Sequence, residues 1–153
     1  MSAGKTGEIF RKRLFKTGTD LAFCVINFVK VQTNLDLHKY LANNLALDRI
    51  ILNEDRHFNN LGVVFNETEF LPAPIFDNGK SFLIGNKNAR NKENIQEKIS
   101  CACSKSFSPS YDLNLKYLQN FITLQVPEDI ISKVENYATK EMIEILKATL
   151  KIS

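Results

Sequence analysis

The stretch from Leu52 to Gly79, L-N-E-D-R-H-F-N-N-L-G-V-V-F-N-E-T-E-F-L-P-A-P-I-F-D-N-G, restricts the fold more than any other part of the chain. It opens on a polar loop. Two apolar runs follow, Leu61-Gly62-Val63-Val64-Phe65 and Phe70-Leu71, separated by Asn66-Glu67-Thr68-Glu69. Apolar runs joined by a polar turn predict a β-hairpin. Pro72 and Pro74 end regular pairing, because proline cannot donate to a ladder. Ile75-Phe76 then deliver Asp77, with Gly79 after it.

The flanks read mainly as helix. Leu37, Leu41, Leu45, Asp48 and Leu52 step by three or four residues, which predicts a helix over 35–52 with Thr33 or Asn34 as its cap. That helix runs straight into the polar loop. Residues 21–31, L-A-F-C-V-I-N-F-V-K-V, suit either a buried strand or a buried helix, and periodicity does not separate the two. Ile9, Phe10, Leu14 and Phe15 offer one apolar face to a short helix or strand in the basic N-terminal segment. Beyond the hairpin, residues 86–98 are almost wholly polar and predict a surface loop or a solvated helix, and residues 104–110 a second loop. Leu113, Tyr117 and Phe121 then form a helical stripe with Leu118 and Ile122 beside it. Pro127 suits a first helical turn, ahead of a stripe of Ile130, Ile131, Val134 and Tyr137. Thr139 caps a last helix carrying Met142, Ile145, Leu146 and Leu150. The expected fold class is mainly α with a small central β-hairpin.

Composition narrows the function classes. At 153 residues the chain is one domain or one lobe of a larger one. The net charge of +3 is too mild, and the Lys and Arg residues too scattered, for a nucleic-acid partner. No apolar run approaches the roughly 18 to 20 residues needed to span a bilayer, and the N-terminus lacks the charged-then-apolar order of a signal peptide. The expected setting is soluble and cytoplasmic. Cys24, Cys101 and Cys103 are an odd set that reads as reduced thiols rather than a disulfide framework. Zinc at Cys101 and Cys103 would need two further ligands, and His38 and His57 are the only histidines. Asn66-Glu67-Thr68 matches a glycosylation sequon, relevant only to a secreted chain. Gly79-Lys80-Ser81 is not a P-loop, since Pro74 stands where the first glycine belongs.

The central loop carries residue types suited to phosphoryl transfer. That reaction needs a carboxylate to orient the attacking hydroxyl and take its proton, and oxygen ligands that hold magnesium against phosphates. Asp55 fits the base, placed just after a helix in a loop. Asn60, five residues on, can coordinate a cation without adding negative charge beside Asp55. Asp77 arrives across the hairpin as a second ligand, and Gly79 would let the chain turn sharply past the metal.

The order Asp55-Arg56-His57-Phe58-Asn59-Asn60, with Asn53 before it, N-L-G-V-V-F after it, and then P-I-F-D-N-G and K-S-F-L, resembles the HipA-like Ser/Thr kinases. Within them it is most similar to the branch of the cell-translocating kinase. The resemblance is specific from about Leu45 to Leu83. It implies a protein-kinase-like C-terminal lobe over 35–153, with 1–34 as an N-terminal remnant or lead-in segment. It implies Asp55 as catalytic base, and His57 in the catalytic loop as a brace through hydrogen bonds rather than a base. Asn60, Asp77 and Gly79 would bind the cofactors, ATP and Mg²⁺, with Asn60 and Asp77 as the magnesium ligands. Arg56 would pair with a carboxylate or a phosphate. Asn78, where D-F-G kinases carry an aromatic residue, would forfeit that residue's apolar packing.

A kinase also needs an N-terminal lobe with a strand lysine on the nucleotide phosphates. Residues 1–34 show no convincing counterpart; Lys12, Lys16 and Lys30 are weak candidates. The expectation is a C-lobe that has lost its N-lobe, or whose N-lobe is encoded separately. Its partners would be a protein substrate or a complementing N-lobe. The alternative is a non-catalytic kinase remnant or protein-interaction module. The same family resemblance would also allow export without a classical signal.

Overall fold

The computed structural model describes residues 18–151. The apolar face expected from Ile9, Phe10, Leu14 and Phe15, and the lysines Lys12 and Lys16, lie outside the described residues. Within them the order is α1 (Gly18–Thr33), α2 (His38–Ile51), a 3-10 turn (Phe58–Asn60), β1 (Val63–Phe65) and β2 (Phe70–Pro72). Then come α3 (Lys87–Arg90), α4 (Ile95–Ser100), α5 (Tyr111–Lys116), a second 3-10 turn (Gln119–Phe121), α6 (Ile130–Val134) and α7 (Lys140–Lys151). The protein is mainly helical, with one two-stranded antiparallel sheet among the described residues. No described helix is long and apolar enough to cross a membrane.

The ambiguous run 21–31 is helical. A helix satisfies its own backbone groups, whereas a strand here would need a sheet beside it. Asp20 lies in the first turn of α1 and Lys30 in the last, the charge order the helix dipole favours. Ala22 and Ile26 are buried and pack with Leu37, Leu41, Ala42, Leu45 and Leu118 in one core cluster. Helices α1 and α2 therefore share a core across position 34.

Thr33 and Asn34 do not cap α2. They close α1, which runs further than the pattern suggested. Thr33 Oγ1 donates to the Val29 carbonyl at 2.7 Å, and Asn34 takes a left-handed backbone (φ 59°) with its N–H on Lys30 O. The first turn of α2 is held by Asp36 instead, whose Oδ1 accepts from the His38 N–H at 3.0 Å.

Helix α2 is the centre of the molecule and packs against α5, α7 and the second 3-10 turn. Leu52 ends it in a left-handed conformation (φ 52°). A branched residue pays a steric penalty there of about 1 kcal/mol, offset by burial of its side chain in a second cluster with Leu83, Ala89 and Ile145. Thr149 on α7 donates to the Ile50 carbonyl at 2.8 Å, fastening the last helix to the end of α2.

The hairpin forms as expected, with Val63 opposite Pro72, Val64 opposite Leu71 and Phe65 opposite Phe70. Asn66 organises the tip, its Oδ1 accepting from the N–H groups of Thr68 and Glu69. Gly62 is required by close approach, because a Cβ there would sit 2.9 Å from Ala73 Cβ. Its neighbour strands carry Val64, Phe65, Phe70 and Leu71 exposed to solvent.

The C-terminal half differs from its sequence pattern in two places. Helix α5 ends at Lys116, so Leu113, Tyr117 and Phe121 never align as one face, and all three are exposed. The inward positions are Asn114, Leu115, Leu118 and Ile122, one residue out of phase. Likewise α6 stops at Val134, leaving Tyr137 91% exposed. Pro127 sits in the turn before α6, its carbonyl accepting from the Ile130 N–H. The segment 86–98 holds two short helices, capped by Asn86 and Asn94. Thr139 caps α7 through the Met142 N–H at 3.2 Å, and Ile145 and Leu146 are buried as expected.

Candidate active site

Leu41, Leu45 and Asp48 are buried on the inner face of α2, so the helix carries a carboxylate into the core. A buried carboxylate needs a partner, and Arg56 supplies it. The two side chains are 0% and 1% exposed for Arg56 and Asp48. Arg56 Nη2 lies 2.9 Å from Asp48 Oδ1, and Nε lies 3.0 Å from Oδ2. Asn53 Nδ2 adds a further hydrogen bond to Asp48 Oδ1 at 2.9 Å. Burial pushes the Asp48 carboxyl above its ordinary value, and the Arg56 and Asn53 hydrogen bonds pull it back.

Arg56 spends its other donors on the segment beyond the hairpin. Nη1 donates to the Phe76 carbonyl at 2.7 Å and Nη2 to Asn78 Oδ1 at 2.6 Å. Asp48 is thus the carboxylate partner expected for Arg56. Asn78 has a role that an aromatic residue could not fill: it accepts from the buried guanidinium.

These contacts bring segments 53–60 and 76–80 side by side. The Glu54 N–H donates to the Lys80 carbonyl at 3.2 Å. Asn60 Nδ2 donates to Asp77 Oδ2. Lys80 Nζ lies 3.2 Å from Asp55 Oδ2, and Lys105 Nζ lies 3.7 Å from Asp55 Oδ1. Asp55, Asn60 and Asp77 thus stand on two adjoining strands of irregular chain.

Asp55 is about one-third exposed, and its N–H is tied to Asn53 Oδ1 at 3.2 Å. The Lys80 hydrogen bond holds its carboxyl below the ordinary value, helped by the charges of Lys80, Lys105 and His57 and opposed by slight desolvation. The group is therefore an ionised base at neutral pH. His57 is exposed. Its brace runs through the main chain: its N–H donates to Asn60 Oδ1 at 3.1 Å and its carbonyl accepts from the Asn60 N–H at 2.9 Å.

Asn60 is buried and Asp77 exposed. Asp77 has φ 57°, a left-handed conformation that Asp tolerates better than most residues. The sharp turn expected at Gly79 is made at Asp77. Gly79 itself has no positive φ, and a Cβ there would meet nothing within 4 Å.

The donor set of Asn60 and Asp77 suits magnesium, which takes one or two protein oxygens and completes its shell with phosphate and water. One rearrangement is required. Asn60 presents its amide nitrogen to Asp77, the polarity that two groups without a cation between them must adopt. A divalent ion there would replace that hydrogen bond and draw the amide oxygen towards the carboxylate. Among the described residues no group of three or more His, Cys, Asp or Glu side chains is placed to hold a metal.

Sequence reasoning missed Glu54, Lys80 and Lys105. Glu54 Oε1 accepts from Asn86 Nδ2 at 2.8 Å and from the Cys103 N–H at 3.0 Å, tying the loop to two distant segments. Nothing local marks such long-range partners. Asp48 carried a signal, a carboxylate on an otherwise leucine-lined stripe. No protein-family model, curated protein or solved structure matches the chain.

Proposed function

We propose that the chain is the catalytic and metal-binding half of a HipA-like serine/threonine protein kinase, built as a kinase-like C-terminal lobe. The observation that carries this reading is the cross-link of the Asp55–Asn60 loop to Asp77 through Arg56 and Asn60. It gathers one ionised base and one carboxylate–amide pair, the groups phosphoryl transfer asks of a protein.

In the reaction, Asp55 orients a serine or threonine hydroxyl and accepts its proton. The hydroxyl oxygen forms a bond to the γ-phosphorus of ATP. The bond from that phosphorus to the bridging oxygen breaks, and its electron pair leaves with ADP. Magnesium, when bound, offsets the charge on the phosphate oxygens; Asn60 and Asp77 are the residues that would hold it. A positioned base contributes about 10²- to 10⁴-fold. The Asp48–Arg56 pair keeps the loop in place from below.

A complementing N-lobe is part of the proposal. The described residues contain two strands, both in the hairpin, and no lysine on either. The exposed hairpin, with Phe65 and Phe70 paired on one side and Val64 and Leu71 on the other, is a suitable seat for that partner. The same exposed hairpin supports a second reading, a non-catalytic kinase remnant that works as a protein-interaction module.

Calorimetric titration with ATP separates the two. Magnesium-dependent ATP binding that is lost in Asp77→Ala supports the kinase. Absence of binding at millimolar magnesium–ATP supports the interaction module.

A further inference from the structure

Two lysines from separate parts of the chain converge on the one carboxylate assigned as base. Lys80 Nζ is 3.2 Å from Asp55 Oδ2 and Lys105 Nζ is 3.7 Å from Oδ1, with both lysine side chains more than half exposed. Their backbones are fixed by the same residue. The Glu54 N–H holds the Lys80 carbonyl, and Glu54 Oε1 holds the Cys103 N–H two residues before Lys105. Ser81, next to Lys80, is buried. Ser104, next to Lys105, is buried too, with its N–H on the Pro109 carbonyl at 3.0 Å and its Oγ accepting from Asn114 Nδ2 at 2.9 Å. Anchored backbones that bring two ammonium ends onto one carboxylate are not the usual pattern of solvated surface lysines.

We propose that Lys80 and Lys105 form an anion subsite for the terminal phosphates of a nucleoside triphosphate. The identity of the ligand rests on the kinase reading; the anion subsite itself rests on the two lysines. A carboxylate alone would repel a polyphosphate. Two ammoniums beside it leave a net single positive charge, which attracts one. Lysine acts on phosphate as a mobile point charge on a four-carbon stem, so each ammonium can turn from Asp55 to a phosphate oxygen without moving the backbone. The same motion uncovers both Asp55 oxygens. The base is thus masked while the subsite is empty and released to the acceptor hydroxyl when phosphate arrives.

The probe is inorganic tripolyphosphate without magnesium, titrated by calorimetry into the full chain, with adenosine as the control. Wild type should bind tripolyphosphate. Lys80→Gln and Lys105→Gln should each weaken it by about three- to fivefold, the scale of a screened surface charge, and leave adenosine unaffected. Asp55→Asn should tighten it by a similar factor, because the competing carboxylate is gone. No tripolyphosphate binding, binding indifferent to both lysines, or binding unchanged in Asp55→Asn would overturn the subsite. The kinase reading is judged on a separate axis, transfer from magnesium–ATP. Asp55→Asn that binds tripolyphosphate more tightly yet still transfers phosphate would sink that reading and leave the subsite standing.

Discussion

Arg56 Nη2 and Asp48 Oδ1 lie 2.9 Å apart with neither side chain reaching solvent. One comes from the inner face of α2 and the other from the loop that carries Asp55. Removing one member of such a pair leaves the other charged, buried and unpartnered, which costs about 3–5 kcal/mol. Arg56→Met should therefore destabilise the fold by that amount in urea unfolding. Asn78→Ala, which removes a single hydrogen bond to the guanidinium, should cost about 2 kcal/mol. Equal losses in the two variants would show that Asp48 does not depend on Arg56.

The Asn60–Asp77 contact can be made to report on magnesium. Asn60→Asp places two carboxylates in contact and forfeits a hydrogen bond, a loss of at least about 1 kcal/mol without metal. Millimolar magnesium should restore much of that stability and raise the melting temperature more than it does for wild type. A loss of the same size with and without magnesium would remove this pair as a metal site.

Asp55 sets a pH dependence with a definite sign. Its folded-state value is depressed, first by the Lys80 hydrogen bond. The ionised base is therefore present through neutral pH and is lost only as pH falls through the depressed value. Its contribution to stability follows the same course, present above the ordinary carboxylate range of about 4 and lost below it. Lys80→Gln removes the largest cause, so the acid limb of the rate profile should move to higher pH, towards about 4. An unmoved limb would mean that the limb belongs to another group.

Asp36 offers a test of the fold away from the site. Lys30, the His38 N–H and the His38 ring all hold its carboxylate, the strongest depression among the described carboxylates. A depressed acid stabilises the folded chain above the unfolded value and loses that contribution as pH falls. Asp36→Asn should lower the melting temperature at pH 7, and the difference from wild type should shrink as pH drops below about 4. A difference independent of pH would show that the ionised carboxylate does not carry the effect.

Part of this architecture was legible in the residues themselves. The α2 stripe, the hairpin and the Thr139 cap follow from local periodicity and turn chemistry, which depend only on near neighbours. The same stripe put Asp48 on the buried face before any partner was visible. The run 21–31 was undecided because a fully apolar segment has no period, and packing against Leu37, Leu41 and Leu45 decided it. Leu113, Tyr117 and Phe121 misled because a helix face exists only while the helix continues, and α5 stops at Lys116. At the site, the order of Asp55, Asn60 and Asp77 was readable. Arg56, Glu54, Lys80 and Lys105 act across gaps of up to 50 residues, as between Asp55 and Lys105, and no local pattern encodes such pairs.

The central claim is that Asp55 and Asp77 serve one phosphoryl-transfer site. It is tested most directly with γ-labelled ATP and magnesium, supplied to the chain together with a protein acceptor and a complementing kinase N-lobe. Wild type should pass label to protein, and Asp55→Ala and Asp77→Ala should each lower the rate by about 10²-fold or more. Label transfer that survives both substitutions, or wild type that neither transfers label nor binds magnesium–ATP, would contradict it.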